Sequence, residues 1–349
     1  MTALRTEQTV QPAIQKAIQK AIQKAIQVEA YGPPSNLRWV DVPLLPLAAD
    51  EVRFKVLAAA VNRADIEICS GNWPIQLDAP FPYTPGLEAL GDVVAVGAAV
   101  SGIKLGDRVI TMMQKLGGIH GLRAGGYQQF VTVQAGAMAI VPPALDPLQV
   151  AALGLAAVTA LAGIERLQIL PSHSVVIHGA SGGVGSVAVA AAKALGARVL
   201  ATTTSLGKDD YLRAIGADTV IYLGDKSRLT QHVAAKSIDA VLELMGQDTF
   251  ADSVAVLRRG GRLCALGAVT GGDVHLSVWD LLNELVLTGY STENLTGEDL
   301  RKAIRSICGL LASGKLLAPA YRTFSMADAA AAHTLMTQGQ LKGRALLVP

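Results

Sequence analysis

Three glycines at 182, 183 and 185, a run of hydroxyls from Thr202 to Ser205, and Lys208 are the residues of this chain whose types and spacing most directly suggest chemistry. The glycines lie between a β-branched run, Val175-Val176-Ile177, and an alanine-rich stretch, Ser186 to Leu195. That order predicts a buried parallel strand, a tight turn and a helix. Glycines in such a turn let backbone N–H groups approach phosphate oxygens, and the N-terminus of the helix adds partial positive charge. The pattern Ala180-x-Gly182-x-x-Gly185 differs by one alanine from the usual dinucleotide fingerprint. The competing reading is an ordinary strand-to-helix turn, and the flanking strand and helix weigh against it.

Where such a unit binds NAD, an Asp or Glu about 20 residues on accepts the ribose 2′-hydroxyl. Here Thr202, Thr203, Thr204 and Ser205 occupy that place, and Lys208 follows. Without a carboxylate to repel a 2′-phosphate, the expected cofactor is NADPH. Ala180, Ser181, Gly182, Gly183 and Val184 are expected at the pyrophosphate, and Thr204, Ser205 and Lys208 at the 2′-phosphate. A solvated lysine beside Asp209 and Asp210 is the alternative for Lys208.

Elements that could position these groups follow from the rest of the chain. Its 349 residues suggest about two domains. A hydrophobic share of 51% against 17% charged residues predicts a substantial core, and a net charge of +2 without Lys/Arg runs argues against nucleic acid or an acidic membrane as partner. The most apolar stretch, Val150 to Ile164, is shorter than the roughly 20 residues needed to cross a bilayer and reads as a buried helix. No secretory signal pattern opens the chain, and Cys69, Cys264 and Cys308 are too scattered for a disulfide framework or a metal knuckle, so a cytoplasmic setting is expected.

From Ala13 to Gln27 the sequence repeats Ala-Ile-Gln-Lys, and residues 1–24 read as an extension outside the fold. Residues 25–150, with short runs such as Glu51 to Ala60, Gly91 to Val96 and Gln128 to Val133, suggest a mostly antiparallel β domain. Strand and helix signals then alternate over 151–290, with strands at Thr219–Tyr222, Ala240–Leu244, Arg262–Leu266 and Val286–Leu287, as a doubly wound parallel sheet requires. Residues 291–349 are expected to return to the first domain. Gly246, Leu266 and Gly267 fall at predicted strand ends, where the cofactor should lie.

Several separated motifs share a family likeness. Val61-Asn62-Arg63-Ala64-Asp65, Gly71-Asn72-Trp73-Pro74, Pro85 to Val93, Gly106-Asp107-Arg108-Val109, the glycine turn and Lys342-Gly343-Arg344 resemble the medium-chain dehydrogenases/reductases, closest to the zinc-free quinone oxidoreductase branch. The resemblance covers about residue 25 to Pro349. It implies an α/β fold: a Rossmann sheet plus a GroES-like, mostly antiparallel catalytic domain. Zinc-dependent members carry Cys and His at the positions of Asn62 and Leu87, and neither replacement can ligate zinc as those do, so no metal is expected.

The implied activity is hydride transfer from NADPH to a quinone or to an α,β-unsaturated carbonyl. The resemblance places Asn62, Asp65, Trp73 and Thr159 in the active-site cleft and Lys342 near the cofactor. Asn62 would make a polar contact with acceptor or ribose, Asp65 would hold the cleft backbone, and Thr159 would lie near the nicotinamide. Loop-stabilising Asx contacts and a helical threonine bonded to its own backbone are the alternatives. Many relatives carry tyrosine where Trp73 stands; an indole can stack on a planar acceptor but donates no catalytic proton. Tyr127 reads as a strand-edge core residue, Tyr222 as a doubtful adenosine contact, and none of the six histidines is assigned to catalysis. Bulk water suffices to protonate the product. An enoyl-thioester reductase on the same scaffold and a non-catalytic NADPH-binding protein are the competing functions. A homodimer joined near Val286 to Tyr290 is expected by resemblance alone.

Overall fold

The structure, a computed structural model, describes residues 21–74, 81–117, 123–224 and 227–349. The repeat copies up to Lys20, and His120, lie outside the described residues. Among the described residues, two large sheets carry the architecture and a small strand pair stands beside them, and the strands follow the burial their sequences allow.

The described residues open with β1 (Ile22–Gln27) and β2 (Arg38–Pro43), an antiparallel pair. β1 takes in Ile22, Gln23 and Lys24, which the sequence reading assigned to the extension. Gln23 explains the shift: its buried amide donates to Gln128 Oε1 at 2.8 Å and its carbonyl oxygen accepts from Phe130 N at 2.8 Å. The larger antiparallel sheet contains β3 (Glu51–Ala60), β4 (Glu88–Val96), β5 (Arg108–Met112), β6 (Phe130–Gln134) and β7 (Met138–Ile140). β3 shows why this face packs: Val52, Phe54, Val56 and Ala58 alternate inward, each 1% exposed or less.

A parallel sheet follows, in the order β10 (Thr219–Tyr222), β9 (Arg198–Thr203), β8 (Ser174–Ile177), β11 (Ile238–Glu243), β12 (Leu257–Ala265), β13 (Val286–Gly289). The order reverses between β8 and β11, which is where such sheets open a crevice beyond the strand ends. The chain then returns through β14 (Tyr321–Ser325) and β15 (Arg344–Val348), and β15 pairs antiparallel with β3.

Helix Pro147–Leu167 joins the two sheets. Its apolar residues, Val150 to Ala157 among them, are buried in the core, in keeping with the buried helix read from the sequence. It is broken at Gly154, where φ is +29° and ψ is −133°. A Cβ on that residue would stand 2.0 Å from Glu88 Oε2, so both the backbone angle and the close approach require glycine.

Candidate active site

The glycine turn behaves as its composition requires. Gly182 is the N-cap of helix Gly183–Ala194, which directs its free N–H groups towards the carboxyl ends of β8 and β9. Ala180 is fully buried behind the turn, while Gly182 and Val184 reach its open side. A Cβ on Gly185 would lie 2.3 Å from Gly179 O, so this position lets helix and strand pack closely.

Lys208 is not the solvated lysine of the alternative reading: it is 7% exposed. Its Nζ donates to Ser181 Oγ at 3.2 Å and to Leu341 O at 2.9 Å. Burial, and secondarily the charge of Lys342, lower its pKa. Gly343 N donates to Ser181 O at 2.9 Å, and Ser205 Oγ to Gly339 O at 3.4 Å. The returning segment 339–343 therefore gathers Ser181, Ser205, Lys208 and the exposed Lys342 at one end of β8 and β9, beside the exposed Thr204. Two cations and several hydroxyls are gathered there, donors of the kind that pair with anionic oxygens.

Gly246, Leu266 and Gly267 lie at strand ends across the crevice. Glu243, buried at the end of β11, accepts from Met245 N at 2.8 Å and Gly246 N at 3.2 Å. Ser253 Oγ donates to its second oxygen at 2.7 Å, and His178 bridges Ser253 Oγ and Thr202 Oγ1, both at 3.0 Å. Burial depresses the His178 pKa, against the opposing charge of Glu243, and Glu243 links this chain of contacts to the Gly246 turn. Leu266 packs against Gly163 of the broken helix, and exposed Gly267 lies beside Leu244 O. Tyr222 pairs with Thr203 at the end of β10.

On the catalytic-domain side, Asn62 starts helix Arg63–Ser70 yet does not cap it with its side chain. Asp65 does that work, its Oδ2 accepting from Asn62 N at 2.8 Å and its Oδ1 from Leu87 N at 2.9 Å. These contacts tie Asp65 to the backbone at Asn62 and Leu87. The Asn62 amide turns instead to two groups the sequence reading left unassigned: Nδ2 donates to Glu88 Oε1 at 3.0 Å, and Oδ1 accepts from Arg344 Nη1 at 2.9 Å. Arg344 also ion-pairs with Glu88; both side chains are 2% exposed. Behind them, buried Tyr127 bridges Asp65 Oδ2 at 3.2 Å and His333 Nε2 at 3.1 Å, so Tyr127 and His333 support the site instead of merely filling the core. Burial raises Asp65 to a pKa of about 7 and lowers His333 to about 4.

Thr159 donates to Leu155 O at 2.8 Å, the helical back-bond named as its alternative; its oxygen keeps acceptor capacity. Trp73 is half-buried, and its Nε1 has no partner among the described residues. The signal for Glu88 was present, since it stands inside the Pro85 to Val93 motif. His333 carried none, because its partner lies 206 residues away in sequence.

Comparison with known proteins agrees with this geometry. A family model described as "Alcohol dehydrogenase GroES-like domain" matches residues 48–143, and one described as "Zinc-binding dehydrogenase" matches 183–308. Quinone oxidoreductase 1 of Escherichia coli is 30% identical over 334 residues, spanning 91% of this chain and 97% of the relative. The 2-methylene-furan-3-one reductase of Solanum lycopersicum is 34% identical over 238 residues, 66% of this chain and 58% of the relative. The crystal structure of Escherichia coli quinone oxidoreductase complexed with NADPH superposes with a TM-score of 0.82 at 28% identity, covering 94% of this chain and all of the other. With the glycine turn, the two sheets and the motifs from Asn62 to Arg344 in one arrangement, the chain belongs to the medium-chain dehydrogenase/reductase superfamily, in its quinone oxidoreductase branch.

Proposed function

We propose that this protein is an NADPH-dependent reductase of quinones or α,β-unsaturated carbonyls that works without a metal ion. The observation that carries the cofactor is the buried Lys208 ammonium beside Ser181, at strand ends that present hydroxyls and no carboxylate. The residues fit the group: N–H donors of the glycine turn face the pyrophosphate position, and Lys208 and Lys342 stand where the 2′-phosphate would lie. When bound, NADPH supplies a hydride to an electron-poor acceptor.

The chain's own residues bind, orient and exclude water. Asn62, fixed by Glu88 and Arg344, presents a rigid amide at the cleft floor. Trp73 offers a flat apolar face to a planar acceptor. Metal-free action is supported by the donor set: Leu87 is a fully buried hydrocarbon, and the Asn62 amide is committed to Glu88, Arg344, Asp65 and Ala60 O. The acceptor class rests on relatives named quinone oxidoreductase, 2-methylene-furan-3-one reductase and NADPH-dependent alkenal/one oxidoreductase.

A homodimer and a cytoplasmic setting complete the reading. β13 ends the parallel sheet, and the segment before it exposes Val278 (70%), Trp279 (78%) and Leu282 (65%), an apolar surface suited to a second copy. Coenzyme oxidation measured with a benzoquinone, a short enone and a crotonyl thioester, each with NADPH and NADH, tests the activity. Turnover of quinone or enone with NADPH supports it. Coenzyme binding without turnover of any acceptor overturns it.

A further inference from the structure

One buried carboxylate touches three parts of the site that are far apart in sequence. Glu88 Oε1 accepts from Asn62 Nδ2 at 3.0 Å and pairs with Arg344 Nη2. Its Oε2 accepts from Leu155 N at 2.8 Å. Leu155 opens the part of helix Pro147–Leu167 that follows the Gly154 break, so its N–H is one of the donors a helix start leaves unpaired. A carboxylate there is also favoured by the helix dipole. Thr159 lies one turn further along the same segment, its hydroxyl bonded to Leu155 O.

Arg344 carries the connection to the cofactor side. A Cβ on Gly183 would meet Arg344 Cδ at 2.5 Å, so the arginine side chain lies directly against the glycine turn. Two residues earlier the same segment holds Lys342, and Leu341 O accepts from Lys208. Glu88 thus meets Asn62 at the acceptor cleft, Arg344 beneath the glycine turn and the helix that carries Thr159.

We propose that Glu88 is a positioning residue for this reaction, fixing Asn62, Arg344 and the Thr159 segment in one mutual geometry; the proposal rests on the reductase reading above. Every group facing either oxygen is an N–H donor. Glutamine, although nearly isosteric, would turn an NH2 towards Leu155 N–H or towards Asn62 and Arg344, and one side would be left with donor facing donor. Aspartate keeps the charge and both acceptors but is shorter by one methylene, so it would hold part of the arrangement.

The test compares the full-length protein with Glu88→Gln, Glu88→Asp, Asn62→Ala and the Glu88→Gln/Asn62→Ala pair. The readouts are thermal unfolding, NADPH affinity by fluorescence, kcat with a benzoquinone, and the primary isotope effect from NADPH deuterated at the transferred position. The expected result is a Glu88→Gln protein that folds, loses at least about tenfold in kcat, shows a larger isotope effect and binds NADPH several-fold more weakly. Glu88→Asp should recover part of each loss, and Asn62→Ala should cost little more in the Glu88→Gln background, because coupled residues are not additive. A role confined to folding would lower the active fraction and leave the isotope effect unchanged, which overturns the proposal. Independent, multiplying effects of the two substitutions overturn it as well. Should Glu88→Gln fail to fold, the isotope effect of Glu88→Asp decides: a value equal to the wild type's counts against positioning. A wild-type protein that binds NADPH but turns over no acceptor sinks the reductase reading, and NADPH affinity in Glu88→Gln then decides for Glu88. A wild type that binds no NADPH sinks both.

Discussion

Lys208 Nζ and Ser181 Oγ are 3.2 Å apart, although 27 residues separate them in the chain. The ammonium is held at the ends of two parallel strands, where the proposed function places the 2′-phosphate of the coenzyme. Lys208→Met keeps the stem and removes the charge. Hydrogen bonds to charged groups are worth about 1.5–3 kcal/mol, so NADPH affinity is expected to fall about 10- to 100-fold. NADH affinity should change little, and titration of both coenzymes checks the ratio.

Asp65 and His333, joined through Tyr127, oppose each other in their effect on pH stability. The folded protein keeps a proton on Asp65 up to a pKa of about 7, whereas the unfolded chain releases it near 3.8, so this group's stabilisation is lost as pH rises through that interval. His333 acts in reverse: the unfolded chain takes up a proton below 6.5, the folded one only near 4, and stability is lost as pH falls. Each slope is about 1.4 kcal/mol per pH unit, and the two cancel where the intervals overlap. Asp65→Asn should therefore lose stability on acidification from about pH 6.5 towards 4, and His333→Gln should lose it as pH rises over the same range. Urea unfolding at several pH values distinguishes these outcomes from parallel curves.

Gly154→Ala places a methyl where Glu88 Oε2 now stands and forces a positive φ on a residue with a Cβ. A loss of about 2 kcal/mol or more is expected. Gly136→Ala is the control, because a Cβ there meets open space, and its effect should stay within about 0.5 kcal/mol. Denaturant midpoints measured side by side give the difference.

Trp279→Glu puts a charge on the apolar surface beside β13. If a second copy covers that surface, sedimentation should show a dimer for the parent protein and a monomer for the variant, with the fold intact by circular dichroism. Two proteins with the same sedimentation coefficient contradict the assignment of this edge.

Local features of the site were readable from the sequence, and long-range ones were not. The glycine turn announced itself because strand, turn and helix lie within one short segment, and β3 and β10 fell on their predicted residues because burial imposes a recognisable pattern on strands. Asn62 was found through its motif, but its partnership with Arg344 spans 282 residues and exists only because β15 crosses back to β3. The same crossing buries Lys208 against Leu341, which its acidic neighbours at 209 and 210 gave no reason to expect. His333 showed no acid at catalytic spacing because its contact is a tyrosine brought to it by tertiary packing.

The first strand has a further consequence for folding. Ile-Gln-Lys-Ala-Ile-Gln, the whole of β1 at 22–27, also occurs at 14–19 and at 18–23. A slip of four residues preserves inward and outward alternation, so each copy could offer the same side chains to Gln128 and Asp41. Val28 breaks the tie: it is fully buried and exchanges backbone hydrogen bonds with Tyr83, and any slipped copy would bring a lysine to that spot. Val28 thus helps to select among three identical hexapeptides, and Tyr31, stacked edge-on against Phe81 where a slipped copy would bring a glutamine, anchors the same choice.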